Sequence, residues 1–168
     1  YPMKGTIDAS KPDAAERIMR DKKEVSEHVT IVDLIRNDLS QVSSAVSVTR
    51  FRYVDEIRTD SKTLLQVSSE IVGDLDGAYF SRLGDILVKL LPAGSVSGAP
   101  KPKTLEIIRS VEGGDRGYYT GVFGVFDGNT LDSGVMIRFI EQEKGKFYYR
   151  SGGGITTQSV VSSEYQEV

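Results

Sequence analysis

Between Lys11 and Gln41 the apolar residues Ile18, Val25, Val29, Val32 and Ile35 recur at steps of three, four or seven, in a run free of glycine whose only proline, Pro12, stands near its start. That period predicts one or two amphipathic helices, with Ser10 or Asp13 as the N-cap. Residues 44–57 and 61–75 are rich in β-branched side chains with partial alternation, and predict two strands. Helical spacing returns over 79–92 and stops at Pro92. A loop of small residues follows at 93–103, then a helix over 104–112 ending at Gly113 and Gly114. Three further strands are predicted at 117–128, 130–142 and 146–155, separated by the turn signals Asp127-Gly128-Asn129 and Glu143-Lys144-Gly145. The final residues, 162–168, begin as a helix. Segregated helices and sequence-adjacent strands imply an α+β fold with antiparallel sheets rather than a doubly wound one.

Composition narrows the chemistry. The 168 residues carry 21 basic and 24 acidic side chains, a formal charge of -3, with the basic ones scattered. This argues against a nucleic-acid surface. No apolar run reaches the roughly 20 residues of a membrane span, and no charged-then-apolar leader opens the chain, so the expectation is a cytoplasmic protein with no membrane partner. With no cysteine and a single histidine, His28, thiolate or multi-imidazole sites are excluded. Any reaction must use Lys, Arg, Asp, Glu, Tyr, Ser, Thr and backbone amides.

Four stretches could carry it, and each also has a plain structural reading. Glu24, Glu27 and His28 share one helical face, as do Glu164 and Glu167 near the other end; each group alone reads as solvated surface. Brought together, the two glutamate pairs would make an oxygen-only site suited to Mg²⁺. The stretch LPAGSVSGAPKPK offers backbone amides and the Ser95 and Ser97 hydroxyls to an anion, or is simply a turn; it lacks the phosphate-loop pattern. Three consecutive glycines, Gly152, Gly153 and Gly154, are costly after a strand unless the backbone takes unusual dihedrals or meets a ligand. Arg138, isolated among Val135, Met136, Ile137 and Phe139 on a predicted strand, faces solvent or pairs with a carboxylate.

Taken in order, PMKGT, EH..IVDLIRNDL, LLPAGSVSGAPK, GYYTGVFG, MIRF, SGGGI and SEYQE resemble the chorismate-utilising enzymes, among them anthranilate, aminodeoxychorismate, isochorismate and salicylate synthases. The motifs run from Pro2 to Glu167. The resemblance implies part of an α/β/β/α sandwich with two large, mostly antiparallel sheets. It also implies that residues 1–168 form a single C-terminal fragment of a chorismate-binding domain whose N-terminal half, with its general acid, lies outside this sequence. An isolated fragment would then be inactive, or act only as an interaction module.

Lys4 is the discriminating residue. Members that aminate chorismate at C4 resemble PIKGT here, whereas anthranilate, isochorismate and salicylate synthases carry alanine in the lysine's place. By that resemblance Lys4 is a nucleophile that attacks ring carbon C2, ammonia then replacing it by adding at C4; this needs a neutral amine, favoured by desolvation or a nearby cation. Glu27 and Glu167 match Mg²⁺ ligands, helped by Glu24 and Glu164. Tyr119 and Arg138 match the pair that grips the enolpyruvyl carboxylate, with amides of Gly152, Gly153 and Gly154 completing the anion site and Thr6 and Ser95 touching substrate oxygens. Gln66 stands where many relatives have a histidine tied to pyruvate elimination, which fits a product that keeps its enolpyruvyl group. The implied partners are chorismate, ammonia and a glutamine amidotransferase subunit or domain, on a route to p-aminobenzoate and folate.

Overall fold

The structure, a computed structural model, describes residues 1–157 and 159–167, with the side chain of Glu167 outside the described set. Strand β1 (Met3–Asp8) leads into helices α1 (Ala14–Arg20) and α2 (Lys22–Ser40), then strands β2 (Ser44–Arg58) and β3 (Thr63–Asp74). A 3₁₀ turn at Tyr79–Arg82 precedes helices α3 (Leu83–Leu90), α4 (Gly94–Ser97) and α5 (Lys101–Glu112). Strands β4 (Val122–Phe126), β5 (Leu131–Val135), β6 (Phe139–Glu143) and β7 (Lys146–Arg150) follow, and then helix α6 (Val161–Glu167). The described strands form an antiparallel sheet in the order β1-β3-β2 and two hairpins, β4-β5 and β6-β7. The chain divides into two compact units, Tyr1–Thr104 and Leu105–Val168.

In the first unit, α1 and α2 lie against the three-stranded sheet. Their apolar stripes bury Ala14, Ile18 and Val32 against Leu65 and Val67, with Ile86 of α3 also buried. The predicted 11–41 helix is two helices because Asp21 has extended dihedrals and its side chain accepts a hydrogen bond from the Glu24 amide, starting a fresh helix. Neither expected cap serves α1. Asp13 sits at φ 54° with no capping bond, and the Ser10 hydroxyl donates to Asp8.

Other expectations are corrected. The sequence pattern predicts no strand at 3–8, because six residues holding Lys4 and Gly5 lack alternation; pairing with β3 supplies the order that local propensity does not. The region 93–103 is not a continuous loop: Gly94–Ser97 makes a helical turn and α5 starts at Lys101. The strand predicted over 130–142 breaks at 136–138 into β5 and β6, so Arg138 lies in the break rather than on a strand. The strands at 117–128 and 146–155 shrink to β4 and β7, glycines and the Tyr118-Tyr119 turn claiming the rest.

Candidate active site

The register of β1 against β3 slips near Lys4. Met3 pairs with Ser68 and Thr6 with Gln66, so one extra residue of β1 is accommodated between them. Gly5 lies in this bulge at φ 92°, a conformation that favours glycine. A bulge turns a side chain away from ladder alternation, and Lys4 points to α2, where its Nζ lies 2.8 Å from Glu27 Oε2. Lys23, one turn before Glu27, reaches the other carboxylate oxygen at 3.9 Å.

Glu24 occupies the preceding turn. An added Cβ at Gly5 would stand 3.1 Å from Glu24 Oε2 and 3.4 Å from Ile18 Cγ1, so the missing side chain is what lets the carboxylate approach β1. Glu24 Oε2 is buried and has no hydrogen-bond partner. Burial pushes the Glu24 carboxyl above the usual carboxylate range, Lys4 and Lys23 opposing and Glu27 and Asp21 reinforcing. A buried carboxylate oxygen without a donor, beside a second carboxylate, has the chemistry of an incomplete cation site, and the all-oxygen donor set fits Mg²⁺. Among the described residues no three His, Asp or Glu side chains are brought together as a metal-binding group. Glu164 belongs to the second unit, and the Glu167 side chain falls outside the described residues.

The helical face expected to be solvated is turned inward at His28, which is 0% exposed. Its Nε2 shares a 2.7 Å hydrogen bond with Ser69 Oγ, which also accepts from the Arg52 amide; the Ser69 amide donates to the Pro2 carbonyl. This network ties α2, β2 and β3 to the start of β1 and so fixes where Lys4 emerges. Burial holds the imidazole below its usual range, the Lys4 backbone opposing and Arg52 adding to the effect. Thr6 is exposed opposite Gln66, whose amide donates to its hydroxyl at 3.5 Å.

The small-residue stretch is fastened to the far end of α2. Asp38, 6% exposed, accepts from the Gly94 amide at 3.1 Å and pairs with Lys101 Nζ at 2.7 Å. A Cβ at Gly94 would come within 3.0 Å of Asp38 Oδ2 and of Leu34 Cβ. Ser95 is exposed, while Ser97 is buried and donates to the Ala93 carbonyl, which makes Ser97 structural. The sequence reading assigned Asp38 and Lys101 no role. A signal existed: Asp38 extends the inward positions His28, Val32 and Ile35 by one more three-residue step, and an acid at a buried position calls for a cation.

The second unit brings several predicted residues together. A Cβ at Gly152 would overlap the Tyr119 hydroxyl, and one at Gly153 would lie 3.5 Å from Glu164 Oε2; Gly154 faces open space. Glu164 is buried. The amide of Thr120 donates to the Met136 carbonyl at 2.8 Å, so Tyr119 and Arg138 flank one hydrogen-bonded crossing. Arg138 is exposed on a shallow apolar depression with Phe123, Met136, Ile137 and Phe139. Arg116 pairs with Glu112 at 2.6 Å and lies over the Tyr119 ring, which fixes that ring's position.

With this geometry in view, the comparisons converge. The family described as chorismate binding enzyme matches residues 1–168, and the chain belongs to that family. An uncharacterized PabA-like protein of Pasteurella multocida is 58% identical over the whole chain, which covers 52% of that relative. Anthranilate synthase component 1 of Archaeoglobus fulgidus is 40% identical over 91% of the chain (36% of the relative), and aminodeoxychorismate synthase component 1 of Bacillus subtilis is 36% identical over 91% (32% of the relative). The crystal structure of anthranilate synthase component I from Streptococcus pneumoniae superposes with a TM-score of 0.74 at 34% identity, over 91% of the chain and 34% of that structure. The chain thus spans about half the length, or less, of the curated relatives it matches. The α+β fold is that of the chorismate-utilising enzymes. Among the described residues no helix is long and apolar enough to cross a membrane.

Proposed function

We propose that the chain is the part of an aminodeoxychorismate synthase component I that carries the covalent nucleophile, acting on chorismate and ammonia. The observation that supports this most is Lys4 on its glycine bulge, with Nζ 2.8 Å from Glu27 and beside the unpartnered oxygen of Glu24. In this reading Lys4 Nζ, as the neutral amine, forms a bond to C2 of the ring. The electron pairs of both conjugated ring double bonds shift, the C4–O bond breaks, and the hydroxyl leaves as water, its proton supplied by the general acid that the family resemblance places outside this sequence. Ammonia then forms the C4–N bond as the C2–N bond breaks, returning Lys4 as an amine. The sum is chorismate plus ammonia giving aminodeoxychorismate plus water.

Glu27 and Glu167, helped by Glu24 and Glu164, would hold Mg²⁺, which when bound polarises the ring carboxylate. Arg138, Tyr119 and the amides of Gly152, Gly153 and Gly154 would take the enolpyruvyl carboxylate; a guanidinium fork matches a carboxylate with two bonds. Thr6 and Ser95 would touch substrate oxygens. Ammonia would come from a glutamine amidotransferase subunit or domain, or from ammonium, and the product would lead to p-aminobenzoate and folate in the cytoplasm. A second reading, anthranilate synthase component 1, draws on the 40% identical relative.

The test is mass spectrometry of the products formed by the polypeptide carrying this chain, expressed at full length, from chorismate, Mg²⁺ and ammonium, with pyruvate assayed in parallel. Aminodeoxychorismate without pyruvate is expected. Anthranilate with pyruvate would overturn the proposal in favour of the second reading.

A further inference from the structure

Helix α2 carries chemistry at both ends. Glu24 and Glu27 lie in its first turns and Asp38 in its last, and at 1.5 Å per residue the eleven residues from Glu27 to Asp38 span about 16 Å of one continuous helix. At the far end Asp38 is almost fully buried, and its two oxygens have separate partners: Oδ2 takes the Gly94 amide at 3.1 Å and Oδ1 takes Lys101 Nζ at 2.7 Å. Gly94 and Lys101 bracket the segment that presents Ser95. Gly94 is buried against Leu34 and Asp38, Ser97 is buried, and Ser95 between them is exposed.

A buried carboxylate that only needed neutralising would be satisfied by Lys101 alone. Here one oxygen is committed instead to a single amide at the entry of the loop, and Lys101 holds the other at its exit, so the two contacts fix both ends at once. Gly98, at φ 88° and against Thr104, closes the turn between them. The turn is short, made of small residues and bonded within itself through the Val96 and Gly98 amides and the Ser97 hydroxyl. What seats it on α2 is Gly94 against Leu34 together with the two polar anchors.

We infer that Asp38 and Lys101 are positioning residues that hold the Ser95 hydroxyl at a set distance along α2 from the carboxylates of Glu24 and Glu27, and thereby set the affinity for chorismate without touching it. This rests on the proposed function, in which Ser95 contacts the substrate. The role differs from that of a stabilising ion pair because it predicts coupling to Ser95 specifically.

The experiment uses the full-length polypeptide with Lys101→Met, Lys101→Arg, Ser95→Ala and the double variant Lys101→Met/Ser95→Ala. For Lys101→Met, KM for chorismate is expected to rise about tenfold, the equivalent of one misplaced hydrogen bond, with kcat changed less than threefold. Lys101→Arg, which keeps the cation on Asp38, should recover most of that loss. The double variant should be no worse than the poorer single variant, because a misplaced hydroxyl and an absent one are equivalent. Additive effects, an unchanged KM in Lys101→Met, or a loss confined to kcat would each overturn the inference. Should Lys101→Met fail to fold, Lys101→Gln, which removes the cation and shortens the reach to Asp38 while leaving a polar side chain there, carries the same comparison. Should the unmodified protein fail to bind chorismate, the proposed function fails first. Amide hydrogen exchange of residues 94–98 then decides the clamp: exchange accelerated about tenfold or more in Lys101→Met or Lys101→Gln supports it, and unchanged exchange overturns it.

Discussion

Replacing Gly5 by alanine perturbs the candidate site without removing any functional group. Gly5 sits at φ 92° in the bulge of β1, and a non-glycine residue held in such a conformation costs about 1–3 kcal/mol. The new methyl would also meet Glu24 Oε2 at 3.1 Å and Ile18 Cγ1 at 3.4 Å, so the carboxylate must retreat by a few tenths of an ångström or the bulge must flatten. Taking about 2 kcal/mol for the sum, and about 2–4 °C per kcal/mol for a chain of this size, Tm should fall by about 4–8 °C. Flattening the bulge also re-aims Lys4, and a 1 Å misplacement of a reacting group lowers turnover by about 10²-fold. Thermal unfolding by circular dichroism and steady-state formation of aminodeoxychorismate by the full-length variant measure the two effects. A Tm loss under about 2 °C together with turnover within twofold would refute the argument that the bulge places Lys4.

Gly152→Ala should destabilise the second unit because its methyl overlaps the Tyr119 hydroxyl, and Tyr119→Phe in the same molecule should restore much of the loss; a double variant no better than Gly152→Ala in thermal unfolding would contradict the contact. His28, buried with its pKa lowered, takes up its proton at lower pH in the folded chain than in the unfolded one, which protonates below about pH 6.5, so stability should fall as pH drops through that value by at most about 1.4 kcal/mol per unit. Urea unfolding between pH 5 and 8 should show this slope, reduced in His28→Gln; equal slopes would place the protonation elsewhere. Saturating Mg²⁺ should raise Tm, a hundredfold excess over Kd being worth about 2.7 kcal/mol, and Glu27→Gln should lose most of the shift; an equal shift in the variant would remove Glu27 from the ligands.

Periodicity exposed the long elements because α2, β2 and β3 each repeat their pattern over a dozen or more residues. It failed where order is not local. β1 exists through pairing with β3 some sixty residues away, and the break at 136–138 interrupts a run whose composition favours a strand throughout. The motif residues were legible as motifs, but their partners were not: no spacing rule joins Lys4 to Glu27, or Asp38 to Gly94 and Lys101. His28 shows the limit of face counting, since Glu24, Glu27 and His28 share a face by arithmetic, yet the imidazole is fully buried and the two glutamates keep partial exposure. The triple glycine suggests unusual dihedrals or a ligand; in the structure two of the three instead make room for neighbouring side chains, Gly152 for Tyr119 and Gly153 for Glu164.

Whether Lys4 bonds to the ring before ammonia enters is tested by steady-state amination by full-length Lys4→Ala, with chorismate binding measured alongside. Binding is expected within about tenfold of the unmodified protein, and aminodeoxychorismate formation lowered by at least about 10³-fold, as expected when a nucleophile is removed. Amination by Lys4→Ala at the unmodified rate would contradict the covalent step and leave Lys4 as no more than an ion-pair partner of Glu27.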